Sequence, residues 1–515
     1  MSGTGIFGAR DGTAQATSQR QAARGWVRAL GAAGLFLAVA LLLRALSFTA
    51  ALIDPDEGLY LLQAVTWLQG GWPYLAIWDM HPPGAPALIA LVHALVPEPV
   101  IALRLTGVLA VTATACGLRA LARLLGAPPA AALGAGLLYI AHTIVLGGLA
   151  TNTEVLFAPF VVLAALLLLR EALSAAPPRA GMVLAAGLAA GFALFIKQVT
   201  AIETSALWLT MCGAALAAGR LAPGRIPLLA AAFALGAALP SLGVAAGYWA
   251  GGEIDAWLEG NLFAPLRYAD TDGYWPGLRQ GLFGALPHLG WLALAALGVL
   301  AGDAGIRRAG LLLLPWLVGA ALAVAAPWKF YLHYFLILMA PLSVLAVLGL
   351  TALARIAIRP PFAARAFALG VALLAAMPVV DTVMPRLAHG LGLRGTDPVR
   401  QVAALAAEAL RPGEALFVAN WHVTPYVLAG EPPPTRLAFP AHLAGRFAGV
   451  TGEDVDAELA RVLALPPGVI VVAPAFWPLI RPEARAAIEA ALARGYALFA
   501  TVQDGSYEVE VWRRR

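Results

Sequence analysis

The chain has 515 residues and a formal net charge of +5. It is 61% hydrophobic and 12% charged, with a mean hydropathy of +0.79. Soluble proteins carry about 25% charged residues, so a large soluble core is excluded; the arginines lie near the ends of apolar runs, a sign of membrane topology and not of a nucleic-acid partner.

Residues 1–25 are polar, rich in Gly, Ala and Gln, and carry Arg10, Arg20 and Arg24. They read as a disordered cytoplasmic tail. The apolar run that follows has no small-residue cleavage site before a soluble chain, so it reads as a retained anchor. A membrane span needs about 20 apolar residues. Eleven runs qualify, at about 27–52, 99–122, 129–148, 155–173, 180–196, 200–219, 226–250, 281–301, 309–327, 331–354 and 363–384. The run at 84–96 follows two prolines and is too short to cross, so it is expected as an interfacial helix on the outer side. With the N-terminus inside, the arginine clusters 24/28, 119/123, 170/179, 220/225, 307/308 and 355/359/365 all fall on the cytoplasmic face. The outer face then receives the loop 53–83, the segment 151–154, Lys197, the loop 251–280, residues 328–334 and everything after 386. Cys116 and Cys212 sit inside apolar runs, which argues against a disulfide framework.

From 386 to 515 the charge density is ordinary. Short apolar runs at 415–419, 469–473 and 496–502 alternate with helical patterns at 453–464 and 481–494. The expected architecture is therefore an α-helical polytopic membrane domain of about eleven spans over 26–385. A small extracytoplasmic α/β domain follows over 386–515.

The chemistry concentrates in residues 53–84, IDPDEGLYLLQAVTWLQGGWPYLAIWDMHPPG, where Asp54, Asp56, Glu57, Asp79 and His81 collect directly after the first span. Carboxylates at a membrane boundary are costly unless they bind a metal, a cation or a reacting hydroxyl. Transfer of a sugar from a lipid phosphate needs a base for the acceptor proton and cationic groups or a metal for the departing phosphate. Asp56 and Glu57 suit the base; the plain alternative is that Asp56 starts the next helix as its cap. Asp79, His81 and Glu154 suit a divalent metal or a hydrogen-bond network around phosphate, though Glu154 also suits a helix cap behind Thr151 or Asn152. The chain has only two lysines, Lys197 and Lys329, both at the outer boundary. They suit an anionic ligand, or else simply snorkel. Trp328, Tyr331, His333 and Tyr334 surround Lys329 in sequence, as an interface belt would. Arg267 and Arg279 could meet an anionic donor. Arg44, Arg104, His93, His142 and Glu203 lie within or near spans, where a structural partner is as good a reading as a site.

The pattern DPDEGLY…GGWPY…WDMHPPG resembles the first outer loop of the GT-C membrane glycosyltransferases that use polyprenyl-phosphate sugars, among them the protein O-mannosyltransferase-like and aminoarabinose-transferase-like enzymes of bacteria. GFALFIKQVT, WKFYLHYFLILMAPLSVLAV, LFVANWHVTPYVLAG and the terminal YEVEVWRRR fit the same group, so the resemblance covers about residues 26–510. It implies Asp56 as catalytic base, with Glu57 beside it. It places donor-phosphate contacts at His81 and Lys197, with Arg267, Lys329, His333 and Tyr334 completing the expected set, and puts the later family acid at Glu154. In aminoarabinose transferases the His81 position is a lysine preceded by a metal-binding glutamate. Here Met80 precedes it and Asp79 stands one step earlier, a departure from the family's metal site; the metal candidates in this chain are Asp79 and Glu154. The implied reaction is inverting transfer from a polyprenyl-phosphate sugar to an envelope lipid, polysaccharide or protein, in the inner membrane. Nucleic acid is not an expected partner; membrane lipids are. A transporter or flippase of lipid-linked sugars would bury charge at mid-membrane between repeated halves, whereas here charge crowds one face and no repeat is visible.

Overall fold

The computed structural model describes residues 8–268, 274–357, 361–390 and 397–515. Nine helices form the first part of the bundle: α1 (Gly8–Arg44), α2 (Pro55–Leu68), α3 (Gly84–His93), α4 (Pro99–Leu124), α5 (Pro129–His142), α6 (Thr153–Leu173), α7 (Ala180–Leu194), α8 (Thr200–Ala217) and α9 (Ile226–Ala250). Two short helices, α10 (Ile254–Leu258) and α11 (Ala264–Tyr268), lead to α12 (Tyr274–Leu297), α13 (Ala304–Ala325), α14 (Met339–Ala357) and α15 (Pro361–Gly390). The C-terminal domain contains α16 (Pro398–Ala409), α17 (Thr424–Ala429), α18 (Pro440–Leu443), α19 (Val455–Ala464) and α20 (Pro482–Gly495). Its strands are β1 (Leu416–Val418), β2 (Val469–Val472), β3 (Tyr496–Asp504) and β4 (Tyr507–Arg514).

Among the described residues, eight segments are long and apolar enough to cross a membrane: Gly25–Thr49, Pro99–Leu124, Thr153–Leu173, Thr200–Ala217, Pro223–Ala250, Tyr274–Ala301, Ala304–Ala325 and Leu332–Ile356. The shorter apolar helices α5, α7 and residues Arg365–Val380 occupy the other three segments expected to span. Helix α3 has ten residues and so extends about 15 Å, too short to cross. Residues 8–25, expected as a disordered tail, are the start of α1; residues 1–7 of that expectation lie outside the described residues.

The expected span 129–148 is cut short. Helix α5 ends at His142, and the chain turns at Leu146 (φ 55°) and Gly147 (φ 80°). Gly148 is needed there, because a Cβ would stand 2.2 Å from the Thr143 carbonyl oxygen. The buried Arg44 guanidinium seals the turn by donating to the carbonyls of Gly148 (2.7 Å), Leu149 (3.2 Å) and Ala150 (3.3 Å). Buried backbone carbonyls need such partners. Arg44 is therefore a structural clamp.

The arginine-rich helix ends gather at one end of the bundle. Arg179 pairs with Glu171 at 2.7 Å, Arg220 donates to the Ala172 carbonyl at 2.6 Å, and Arg355 pairs with Asp303 at 2.6 Å. The other end carries the acidic loop and the C-terminal domain. That domain is built on a sheet of order β1-β2-β4-β3, with β1 and β2 parallel and the remaining pairs antiparallel. Strand β4 falls in the terminal YEVEVWRRR, whose Val509 and Val511 are buried while Glu508 is exposed, the period-2 pattern of a half-buried strand.

Loop and domain form one packed unit. Trp78 N–H donates to the Arg436 carbonyl (2.8 Å), and Arg436 Nη1 donates back to the Tyr74 carbonyl (3.0 Å). Ala51 N–H donates to Asp397 Oδ2 (3.1 Å). Helix α2 touches the domain at Gly58, where a Cβ would meet Thr424 Oγ1 at 2.7 Å. Trp78, Met80 and Tyr268 belong to the same hydrophobic core as Phe417, Leu443 and Ile470.

Candidate active site

The acidic loop opens on a helix start dictated by sequence. Pro55 occupies the first turn of α2, Asp54 caps it by accepting from Asp56 N–H (3.0 Å), and Glu57 reaches back to the backbone to complete a capping box. Glu57 Oε1 accepts from Ile53 N–H at 2.7 Å. Its Oε2 accepts from Arg104 Nη1 at 2.5 Å and Thr151 N–H at 2.7 Å. Arg104 spends its other nitrogens on the Ser47 and Ala50 carbonyls, at 3.0 and 3.1 Å. Both side chains are buried. Glu57, expected as a second catalytic carboxylate, is held by donors on both of its oxygens. Glu57 and Arg104 join α2, α4 and the 151 loop.

Asp56, one residue earlier, is half-buried, and its carboxylate makes no hydrogen bond or ion pair among the described residues. Burial pushes its pKa above the ordinary aspartate value. His81 and Lys197 pull it back, while Asp79 and Glu154 push the same way as burial. The four groups therefore act on Asp56 electrostatically from three chain segments. Neighbouring Asp54 is raised to about 6, first by burial and then by Asp56.

Around Asp56 stand two built-in ion pairs. His81 Nδ1 lies 3.1 and 3.2 Å from the two oxygens of Asp79, which also accepts from Met80 N–H at 2.7 Å. Burial alone would lower the His81 pKa, but the Asp79 carboxylate outweighs it and holds the ring above its usual value; Asp79 is correspondingly held low despite burial. Lys197 Nζ lies 2.5 Å from Glu154 Oε1, and Thr153 Oγ1 donates to Glu154 Oε2 at 3.1 Å. The ammonium also sits 4.1 Å from the centre of the Tyr334 ring, which is edge-on to His333 at 4.8 Å. His333 Nδ1 stands 3.9 Å from Asp54 Oδ2. The structure thus brings Asp56, Asp79, His81, Glu154, Lys197, His333 and Tyr334 together.

The HPPG turn explains how two of these segments stay in register. Gly84 N–H donates to the Phe195 carbonyl at 2.8 Å, and a Cβ on Gly84 would stand 2.3 Å from that oxygen. Only glycine allows this approach, which sets His81 against the end of α7 two residues before Lys197. Behind the loop, Tyr74 (φ 63°) donates its hydroxyl to the His81 carbonyl at 2.9 Å and accepts from Asn261 Nδ2 at 2.6 Å. Gln198 Nε2 in turn donates to the Asn261 carbonyl at 3.2 Å. His442 of the C-terminal domain, buried and pushed down to about 4 by burial, packs edge-on to Trp78 at 4.8 Å. Tyr74, Asn261 and His442 were missed by sequence reasoning. Their contacts span more than 180 and 360 residues of chain, and no local pattern marks them.

Two expected phosphate ligands lie elsewhere. Arg267 pairs with Glu259 and donates to the Val450 carbonyl from Nε (3.1 Å) and Nη2 (2.8 Å), so it fastens α11 to the C-terminal domain. Lys329 is buried between the Tyr268 ring (4.8 Å) and the Phe447 ring (5.8 Å). The Tyr268 hydroxyl in turn hydrogen-bonds Tyr334 of the cluster. Asp79 and Glu154, the expected metal ligands, are paired with side chains of the chain itself in this structure. Each carboxylate is engaged by its own cation and a second donor, and among the described residues no three His, Cys, Asp or Glu groups converge as ligands.

Residues 80–243 match the dolichyl-phosphate-mannose-protein mannosyltransferase family. No curated protein matches the chain. Among solved structures, ArnT from Cupriavidus metallidurans bound to undecaprenyl phosphate superposes with a TM-score of 0.62 at 18% identity, covering 95% of this chain and 98% of that one. Arabinofuranosyltransferase AftD from Mycobacteria gives 0.53 at 18% identity, over 95% of this chain and 40% of that one. The Archaeoglobus fulgidus oligosaccharyltransferase in the apo form gives 0.50 at 12% identity, over 86% and 69%. The chain has the GT-C fold of these proteins, with a small C-terminal sheet.

Proposed function

We propose that the protein transfers a sugar from a polyprenyl-phosphate-linked donor to a hydroxyl of an envelope lipid, polysaccharide or protein. The observation that carries this reading is the contrast among the clustered acids. Asp79 and Glu154 each hold a cation, Glu57 holds the scaffold, and Asp56 alone of these four carboxylates carries no hydrogen bond or ion pair. Burial raises its proton affinity, which suits a general base. In the proposed step the acceptor oxygen attacks the anomeric carbon and its proton passes to Asp56. The bond from that carbon to the phosphate oxygen breaks, and polyprenyl phosphate leaves with the electron pair. Lys197 and protonated His81 offset the charge developing on the leaving oxygen. A single displacement of this kind inverts the anomeric centre.

The arginine-lined end of the bundle suits the cytosol and the site end the opposite face, which supports a reaction on the outer face of the inner membrane. The test is deletion of the gene followed by mass spectrometry of envelope glycans, with complementation by wild type and by Asp56→Asn. We expect a missing sugar that wild type restores and Asp56→Asn does not. Unchanged glycans on deletion, or full rescue by Asp56→Asn, would refute the assignment.

A further inference from the structure

Four consecutive polar residues, Thr151, Asn152, Thr153 and Glu154, are all buried at the site end of α6, none more than 2% exposed. Three of them are fully accounted for. Thr151 N–H serves Glu57 and its hydroxyl donates to the Leu103 carbonyl at 2.9 Å. Thr153 donates to Glu154, and Glu154 accepts from Lys197. Asn152 is the exception. Its backbone carbonyl accepts from Val155 and Leu156 N–H, but its carboxamide makes no hydrogen bond through Oδ1 or Nδ2, although it is 1% exposed. It does not cap α6 with its side chain. Buried amide groups left without partners cost about 1–3 kcal/mol each, so a donor and an acceptor orphaned together beside an active cluster are poised for something that binds.

Resting on the reading above, we infer that Asn152 is a sugar-specificity residue. Its carboxamide accepts from one hydroxyl of the donor sugar through Oδ1 and donates to a neighbouring hydroxyl through Nδ2. The ligand class follows from the chemistry. A carboxamide offers one acceptor and one donor side by side, as a vicinal diol requires, and a lone phosphate, which only accepts, would leave Oδ1 unpaired. The location agrees, since both sequence neighbours of Asn152 touch groups that hold the Asp56 cluster together. Asn152 would read the sugar while Lys197 and His81 meet the phosphate. The test uses full-length protein in nanodiscs and three probes: undecaprenyl phosphate, undecaprenyl-phosphate mannose and decaprenyl-phosphate arabinose. Wild type should bind at least one glycosylated probe more tightly than the bare lipid. Asn152→Ala and Asn152→Ser should weaken that probe by about 10- to 100-fold, the worth of two hydrogen bonds, while leaving undecaprenyl phosphate within about twofold. Equal losses for bare and glycosylated lipid, or no loss for either, would overturn the role of Asn152 while leaving Asp56 untouched. Should wild type bind no glycosylated probe better than bare lipid, the donor reading itself falls, and this inference with it.

Discussion

Adjacent carboxylates with opposite duties allow a sharp comparison. Asp56→Asn removes a charge that burial disfavours. A folded-state pKa above the ordinary aspartate value means that ionised Asp56 costs stability at neutral pH, so the amide should leave the melting temperature unchanged or higher. Transfer should fall by at least about 100-fold, the lower range for a general base. Glu57→Gln is expected to do the reverse to stability. Gln has one acceptor oxygen, whereas Glu57 serves Ile53 N–H on one side and Arg104 with Thr151 N–H on the other. The amide nitrogen must therefore face donors, and Arg104 stays buried without its countercharge. Breaking a buried pair by removing one partner costs about 3–5 kcal/mol. Thermal unfolding of the purified protein in detergent, read beside turnover with the donor that the glycan analysis identifies, tests both. The reasoning is refuted if Glu57→Gln melts like wild type, or if Asp56→Asn melts lower and keeps its turnover.

Three further outcomes follow from the same geometry. Gly84→Ala should push His81 away from α7, because its Cβ would meet the Phe195 oxygen at 2.3 Å; displacing the site by about 1 Å can cost about 100-fold in rate, and a wild-type rate would show that the turn does not set the register. Lys197→Met should destabilise by about 3–5 kcal/mol, since Glu154 stays buried and charged, and Lys197→Met with Glu154→Gln should recover the melting temperature but not transfer; recovery of both would reduce the pair to a structural role. Transfer should show a bell-shaped pH dependence. Its acid limb should lie above the ordinary aspartate range, as Asp56 and Asp54 protonate, and its alkaline limb above the ordinary histidine value, as His81 loses its proton. A rate that stays flat down to pH 4 would contradict the Asp56 environment.

The spans and the α/β domain were legible because apolar length and arginine placement act locally. The identity of the acids was also legible, but their division of labour was only partly so. D-P-D-E at 54–57 is a capping box with proline at the first helical position, and that pattern alone assigns Glu57 to the backbone. The Arg104 contact that finishes the argument lies 47 residues away and has no local signature. Both lysines stand at the outer boundary and the aromatics gather in sequence around Lys329, yet it is Lys197 that meets Glu154, while Lys329 lies between Tyr268 and Phe447. Arg267 donates to the Val450 carbonyl of the C-terminal domain, 183 residues on, a contact with no local signature. The lone orphaned carboxamide at Asn152 is a property of burial, and burial of a polar run beside a span cannot be read from the run itself.

The resting charges also say how base strength could follow donor arrival. Lys197 and His81 both lower the Asp56 pKa, against the combined push of burial, Asp79 and Glu154. In the proposed reaction the donor brings a phosphodiester anion to those same cations. An added negative charge nearby disfavours ionised Asp56 further, so its proton affinity rises when the donor is bound. The base would then be strongest in the ternary complex and weaker in the free enzyme. The acid limb of kcat, which reports the bound state, should accordingly lie at higher pH than the acid limb of kcat/KM, which reports the free state. Coincident limbs would mean that the phosphate and Asp56 do not share these two cations, and the placement of donor against His81 and Lys197 would have to be abandoned.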